Sequence, residues 1–509
     1  MGDLRTSRRQ FLAGAVGGGA GLLVLPCSRT AWTYQANERL NLAIVGVAGY
    51  AAATAFMPAV HIYENLHIAA LCDVDQRKVA PQLAIWKERA RDWPASSKEE
   101  ERRAAEHYRR LADSPPPLFE DFRRMLEKMD REIDAVVVAT PDHTHAVAAA
   151  AALRAGKHVF CEKPLVIRAD EGRALRALAA GRRVATSMGT QGMQSGPFRR
   201  GLEIVREGVI GPVEQVRIWF SRGGRNHKQP PQGTQPIPKE LNWDLWLGPA
   251  AWREYHPGWI ARCHWRDTGI GELGNFGPHT ANLAFMALNV ADLWEPAGDT
   301  AGGGASGGAG GSGAGERRIR VEAECSERNR LSFPGWEKIR WHVPARGDMP
   351  PVTFTWHHGP VPDYEPGSRE RLEAMLRDFG ATDEDIKKFL VYAGAALIGR
   401  KGALVTDSHN VNITLLPREK FREVESDNPK SVAASRGHYK DWVAACRGGD
   451  PPWARFEYAA TFGEFLTLGD VATQFPGEAL EYDPAAGRFV NHAEADAALR
   501  CGYREGWSL

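Results

Sequence analysis

The chain has 509 residues, 43% of them hydrophobic and 25% charged, with a formal net charge of +1. The length favours two or more domains. The composition is that of an ordinary soluble globular protein and makes no electrostatic case for a nucleic acid or another strongly charged partner. The seven cysteines are an odd number without a C-x-x-C pair, which excludes a disulfide framework or a zinc site as the organising feature.

The first stretch, "TSRRQFLAGAVGGGAGLLVLP", has a twin arginine (Arg8, Arg9), then Phe11-Leu12, then a weakly apolar run to Leu25. That run is about 15 residues, short of the ~20 that a membrane span needs. Residues 1–36 therefore read as a twin-arginine export signal, with a periplasmic or cell-envelope destination. No clean cleavage site precedes Asn37, which leaves open an uncleaved anchor.

From Asn41 the pattern alternates. Leu42–Val45 is an apolar strand running into a glycine turn, Ala51–Tyr63 suits a helix, and His67–Cys72 is a second strand ending in Asp73. Residues 76–130 are charged and helical, broken by the prolines at 115–117, and about 81–117 reads as an insertion. "DAVVVATP" (134–141) is a fully apolar strand, "HAVAAAAALRAG" (145–156) a helix stopped by Gly156, and "KHVFCEKP" (157–164) another strand. The helix "ADEGRALRALAAG" and the strand "RRVATSMGTQ" follow. Strands separated by helices predict an α/β Rossmann-like domain over 37–190, its parallel sheet covered on both faces.

After Gln191 the character changes. A helix over "FRRGLEIVREGVIG" is followed by strand-like segments without regular helices between them: Val213–Ser221, Arg318–Cys325, Lys338–Val343, Val352–Trp356 and Val411–Leu416. Residues 191–509 are expected to form an α+β domain with a mostly antiparallel open sheet. The Gly/Ser/Ala tract 298–315 reads as a flexible surface loop within it.

The glycine turn resembles the G-x-G-x-x-G of dinucleotide-binding units, but here it runs Gly46-x-Ala48-x-x-Ala51, with an extra Gly49. Gly46 can make the tight turn and Ala51 the close helix packing, while Ala48 puts a methyl group where backbone should approach pyrophosphate. Alone, this loop fits a plain strand–turn–helix equally well. Asp73, ending the second strand, can accept hydrogen bonds from ribose hydroxyls and repel a 2′-phosphate, favouring NAD over NADP. The competing role for the Asp73-Val-Asp75 stretch is a helix N-cap.

Two later strands end in Thr140-Pro141 and Glu162-Lys163-Pro164. Ligands of open parallel sheets bind at the carboxyl ends of strands. A lysine there, beside a positive nicotinamide ring, would have a lowered pKa and could act as general base. The plainer alternative for Lys163 is a salt bridge to Glu162.

The stretch "TPDHTHAVAAAAALRAGKHVFCEKPL" resembles the Gfo/Idh/MocA oxidoreductases. So do "LCDVD" (71–75), "NWDLWLGPA" (242–250), "GELGNFGPHTANLAF" (271–285), "HYKDWVAACRGGDPP" (438–452) and "YREGW" (503–507). The resemblance extends over residues 37–509 and, with the leader, points to the exported branch. It implies that Lys163 is the catalytic lysine and that Glu162, Thr140, His145 and Asp73 line the cofactor. It further implies that the histidine of a D-x-x-x-H stretch moves a proton at the substrate hydroxyl. Here that stretch reads Asn275-Phe-Gly-Pro-His279. Asn275 and His279 lie four apart, on one face of a helix that Pro278 suggests starts nearby. Asn275 departs from the pattern, because an amide orients a hydroxyl but cannot accept its proton.

The implied activity is NAD-dependent oxidation or reduction of a sugar, cyclitol or glycoside derivative. Export implies a cofactor loaded before transport and restored in each cycle. A net non-redox reaction through a keto intermediate (glycoside cleavage, elimination or epimerisation) is the alternative, and a non-catalytic binding protein the third reading. A homo-oligomer through the open sheet is expected. His143, His256, His264, His357 and His358 show no metal-ligand spacing. Trp243, Trp246, Trp259 and Trp265 read as packing ahead of sugar platforms. Tyr255, Arg262 and Arg266 are possible substrate contacts.

Overall fold

The structure is a computed structural model that describes residues 39–47, 66–221, 229–261, 263–295, 317–359, 368–390, 392–500 and 502–509. The export signal, the expected helix Ala51–Tyr63 and the Gly-rich tract 298–315 lie outside the described residues.

Six strands form the first sheet: β1 (Leu40–Val45), β2 (Leu66–Cys72), β3 (Leu118–Phe119), β4 (Ala135–Val138), β5 (His158–Cys161) and β6 (Thr186–Met188). All pair in parallel, in the order β3-β2-β1-β4-β5-β6. The apolar runs Leu42–Val45 and Val136–Val138 are at most 3% exposed, as strands covered on both faces must be. The helix His145–Arg154 buries Ala146, Val147, Ala148, Ala149, Ala150, Ala152 and Leu153, small side chains that let it lie close to the sheet. The order reverses at β1 and β4, so a crevice opens above their carboxyl ends.

The stretch of the expected insertion, about 81–117, falls within a pair of helices, Gln76–Asp92 and Glu99–Asp113, and the segment after them. Its prolines lead into β3, an edge strand of two residues too short to show a period in sequence.

The second sheet has nine strands: β7 (Val213–Phe220), β8 (Ile319–Cys325), β9 (Glu337–Val343), β10 (Val352–His358), β11 (Ala393–Gly399), β12 (Gly402–Asp407), β13 (Ile413–Leu416), β14 (Leu480–Asp483) and β15 (Arg488–Phe489). Their order is β13-β12-β11-β7-β10-β9-β8-β14-β15, antiparallel except where β7 meets β10. Strand β13 starts two residues later than expected. Asp407 there binds the amides of His409 and Val411 and the side chain of Asn412, folding 407–412 into a turn with Asn410 at φ 57°.

One face of this sheet packs on the helix Phe456–Ala472, which is apolar on nearly every side and buried from Ala459 onward. Trp341 Nε1 donates to the Phe465 carbonyl at 3.0 Å. A Cβ at Gly469 would stand 2.2 Å from the Trp341 ring, so only glycine admits this contact. The same helix reaches the first domain, where Arg173 donates to Glu464 at 3.0 Å and Arg176 to Thr461 at 3.1 Å. The two sheets thus share one helix and one core. Among the described residues no helix is long and apolar enough to cross a membrane.

Candidate active site

Gly46 follows β1 with φ +92°, and its amide donates to the Cys72 carbonyl at 2.8 Å. A Cβ there would lie 2.5 Å from the Ala139 carbonyl oxygen and 2.8 Å from the Thr140 amide nitrogen. Both conformation and crowding demand glycine, as the sequence suggested for the tight turn. Ala48 and Gly49 lie outside the described residues.

Asp73 extends from the end of β2 toward this turn. Its Oδ2 accepts from the Val47 amide at 2.9 Å and its Oδ1 from the Asp75 amide at 3.0 Å. The N-cap is Asp75, which accepts from the Arg77 amide, so Asp73 is not the cap.

At the end of β4, Thr140 has a buried hydroxyl with no hydrogen-bond partner. His145 is 1% exposed, with Nδ1 2.6 Å from the Pro164 carbonyl and Nε2 2.8 Å from the Thr140 carbonyl. Both ring nitrogens face backbone, and the imidazole ties the ends of β4 and β5 to each other. Glu162 lies against Gly189, where a Cβ would come 2.5 Å from its Oε2. A glycine turn without room for a Cβ, an orphaned hydroxyl and an acidic residue ending β2 together fit a bound dinucleotide.

Lys163 follows β5 and crosses to the second domain. Its Nζ donates to the Asn275 carbonyl and to Asn275 Oδ1, both at 2.9 Å. Asn275 sits on the helix Gly271–Thr280 with His279 one turn further on. The helix starts seven residues before Pro278, where Gly271 adopts φ +62°, so the start suggested by Pro278 is corrected. Pro278 lies in the last turn; Gly277 before it has no side chain to clash with the proline ring, so the helix runs through.

His279 is 5% exposed and packs against His409, ring centroids 4.5 Å apart at 38°. His409 lies in the turn between β12 and β13, and sequence reading passed over it. Burial pushes its imidazole below the ordinary value; Asp407 opposes the shift and the Lys163 ammonium adds to it. A cation and two imidazoles thus converge where the domains meet, with Lys163, Asn275 and His279 brought together as the sequence suggested.

Other candidates are structural. Trp243 and Trp246 stack at 4.9 Å with Tyr255 edge-on, all buried against Val74. Arg266 is 3% exposed and bound to Asp470, Thr473 and the Asn329 carbonyl, so it is not a substrate contact. Arg262 lies outside the described residues.

Residues 40–190 match the family model described as "Oxidoreductase family, NAD-binding Rossmann fold". Over those residues the chain is similar to the NAD-binding domain of the Gfo/Idh/MocA family. Among its relatives, inositol 2-dehydrogenase 1 of Saccharopolyspora erythraea is 45% identical over 73 residues, 14% of this chain and 19% of the relative. Levoglucosan dehydrogenase of Pseudarthrobacter phenanthrenivorans is 31% identical over 97 residues, 19% of this chain and 24% of the relative. The chain spans under half the length of the curated relatives it matches. The WlbA dehydrogenase of Chromobacterium violaceum shares the fold at a TM-score of 0.50 and 13% identity, over 91% of this chain and 99% of that one.

Proposed function

We propose that this protein is an NAD-dependent oxidoreductase acting on a hydroxyl group of a sugar, cyclitol or glycoside derivative. The observation that carries the reading is the Lys163 ammonium, held at the carboxyl end of β5 by Asn275 beside the His279–His409 pair. Bound NAD would supply the hydride acceptor, C4 of its nicotinamide. Lys163, once neutral, takes the hydroxyl proton. His279 orients that hydroxyl and shares the proton. Gly46, Thr140, Glu162 and Asp73 are the residues to hold the cofactor, and His145 fixes the strand ends that present them. The inositol and levoglucosan dehydrogenases among the relatives support a carbohydrate-like substrate.

The twin-arginine stretch adds export in a folded state, with NAD loaded beforehand. A protein outside the NAD pool must return its cofactor to the starting state each cycle. This favours either paired oxidation and reduction of two substrates or, as a second reading, glycoside cleavage through a transient keto intermediate. The polar outer face of the second sheet, with Glu214, Arg217 and Arg340, suits pairing with a second copy. Denaturing the purified protein and weighing the released small molecules by mass spectrometry tests the core of this reading. NAD near one per chain is expected. An empty protein that also ignores added dinucleotide would overturn it.

The preference for NAD rests on Asp73. Asp73→Ser should weaken NAD binding and improve NADP binding, moving the affinity ratio by about tenfold to a hundredfold, or about 1.4–2.8 kcal/mol. Titrations with NADH and NADPH, read by nucleotide fluorescence, measure it; an unchanged ratio would remove the residue from cofactor selection.

A further inference from the structure

The D-x-x-x-H pattern implied by the resemblance has an amide at its first position, and the structure shows what stands behind that amide. Lys163 Nζ can only donate, so the Asn275 atom facing it is the oxygen, at 2.9 Å. The amide is then fixed with its nitrogen turned away, and Nδ2 donates to Glu272 Oε2 at 2.7 Å. Glu272, Asn275 and His279 occupy i, i+3 and i+7 of the helix Gly271–Thr280, one face, and are 2%, 7% and 5% exposed. In that shielded place a carboxylate one amide away from an ammonium interacts with it far more strongly than it would in water.

We propose that Glu272 is the positioning residue of this site: through Asn275 it supplies the negative charge and the amide orientation that hold the Lys163 ammonium at the crevice. The proposal rests on the oxidoreductase reading for its use, and on geometry for its existence. Asn275 passes orientation and charge but no proton, so the proton leaving the substrate stays with Lys163 and the histidines. Among the described residues, the charged or titratable groups near the lysine include its chain neighbour Glu162, His279 on the helix, and His409 with Asp407 at the β12–β13 turn. Burial pushes the Glu337 carboxyl of β9 up to about 7, and the Glu272 charge adds to that shift.

The test reads Lys163 directly, without turnover. The full-length protein is produced with lysine labelled with carbon-13 at Cε, and the Lys163 signal is assigned by its absence in K163M. Glu272→Gln keeps the shape and a hydrogen bond to Asn275 but removes the charge. Its Lys163 midpoint is expected to fall by about one pH unit, and the acid limb of kcat/KM to move with it. Adding Asn275→Asp to E272Q returns one carboxylate and should move the midpoint back up. Glu272→Met, similar in length but uncharged, gives the same reading if E272Q does not fold. A midpoint unmoved in the charge-removing variants would overturn the proposal, even with turnover intact. A shifted midpoint in a protein that turns over no sugar, cyclitol or glycoside would sustain it while the oxidoreductase reading falls.

Discussion

Replacing Lys163 by methionine is expected to cut kcat/KM by about a hundredfold to ten-thousandfold across a panel of sugars, cyclitols and glycosides. kcat should fall in parallel, because the lost interaction belongs to proton transfer in the transition state and not to ground-state binding. Dinucleotide affinity should change little, since Gly46, Asp73 and Thr140 are untouched. Methionine has nearly the length of lysine and fills its path between the domains, but it removes the donor that Asn275 Oδ1 faces. That costs about 1–3 kcal/mol of stability, small beside the kinetic effect. Lys163→Arg separates the two jobs of the side chain. Arginine restores a cation for Asn275 but stays charged at any working pH and cannot take a proton. K163R should therefore recover stability and remain as inactive as K163M. An arginine variant with near-normal turnover would show that the lysine serves only as a cation, and the general-base assignment would fail.

The legible parts of the molecule are those in which neighbours in sequence are neighbours in function. The parallel strands are continuous apolar runs because both faces are covered, and Lys163 announces itself by standing two residues after such a run. Asn275 and His279 share a helix face, so their spacing gave their convergence. What stayed hidden was assembled from distant pieces. His409 meets His279 only because the turn between β12 and β13 folds back over the helix, and nothing in "DSHN" hints at that. Strands β11 and β12 were missed for a different reason. "AGAALIG" is mostly alanine and glycine, so β-propensity does not mark it, and both it and "GALVTD" are buried along almost their whole length, so alternation marks neither. Glu272 shows both limits: its place on the helix face follows from spacing, but its bond to the Asn275 amide depends on Lys163 arriving from another domain.

Asp470 is the residue whose loss should cost most in stability. It is 3% exposed on the helix shared by both sheets, and its Oδ1 accepts from Arg266 NH1 at 2.7 Å. Arg168 NH1 stands 3.9 Å from Oδ2, too far for a hydrogen bond but near enough for attraction. Burial pushes the Arg266 guanidinium below its usual pKa while Asp470 pulls it back up. Asp470→Ala leaves that guanidinium charged in the core without its bonded carboxylate, a loss of about 3–5 kcal/mol, to be set against the ~5–15 kcal/mol that a folded domain commonly has in total. Denaturant unfolding followed by tryptophan fluorescence would measure it. The effect should also reach the site, because Arg266 precedes by a few residues the helix that presents Glu272, Asn275 and His279, and its amide is tied to the Leu331 carbonyl at 3.0 Å. The double variant Asp470→Leu with Arg266→Met removes both charges and refills the space. It should regain most of the loss, because paired burial of charge contributes little net stability compared with apolar packing. If Asp470→Ala alone unfolds no more easily than the parent, the guanidinium has found water, and the core around Trp341 and Phe465 is less closed than the packing implies.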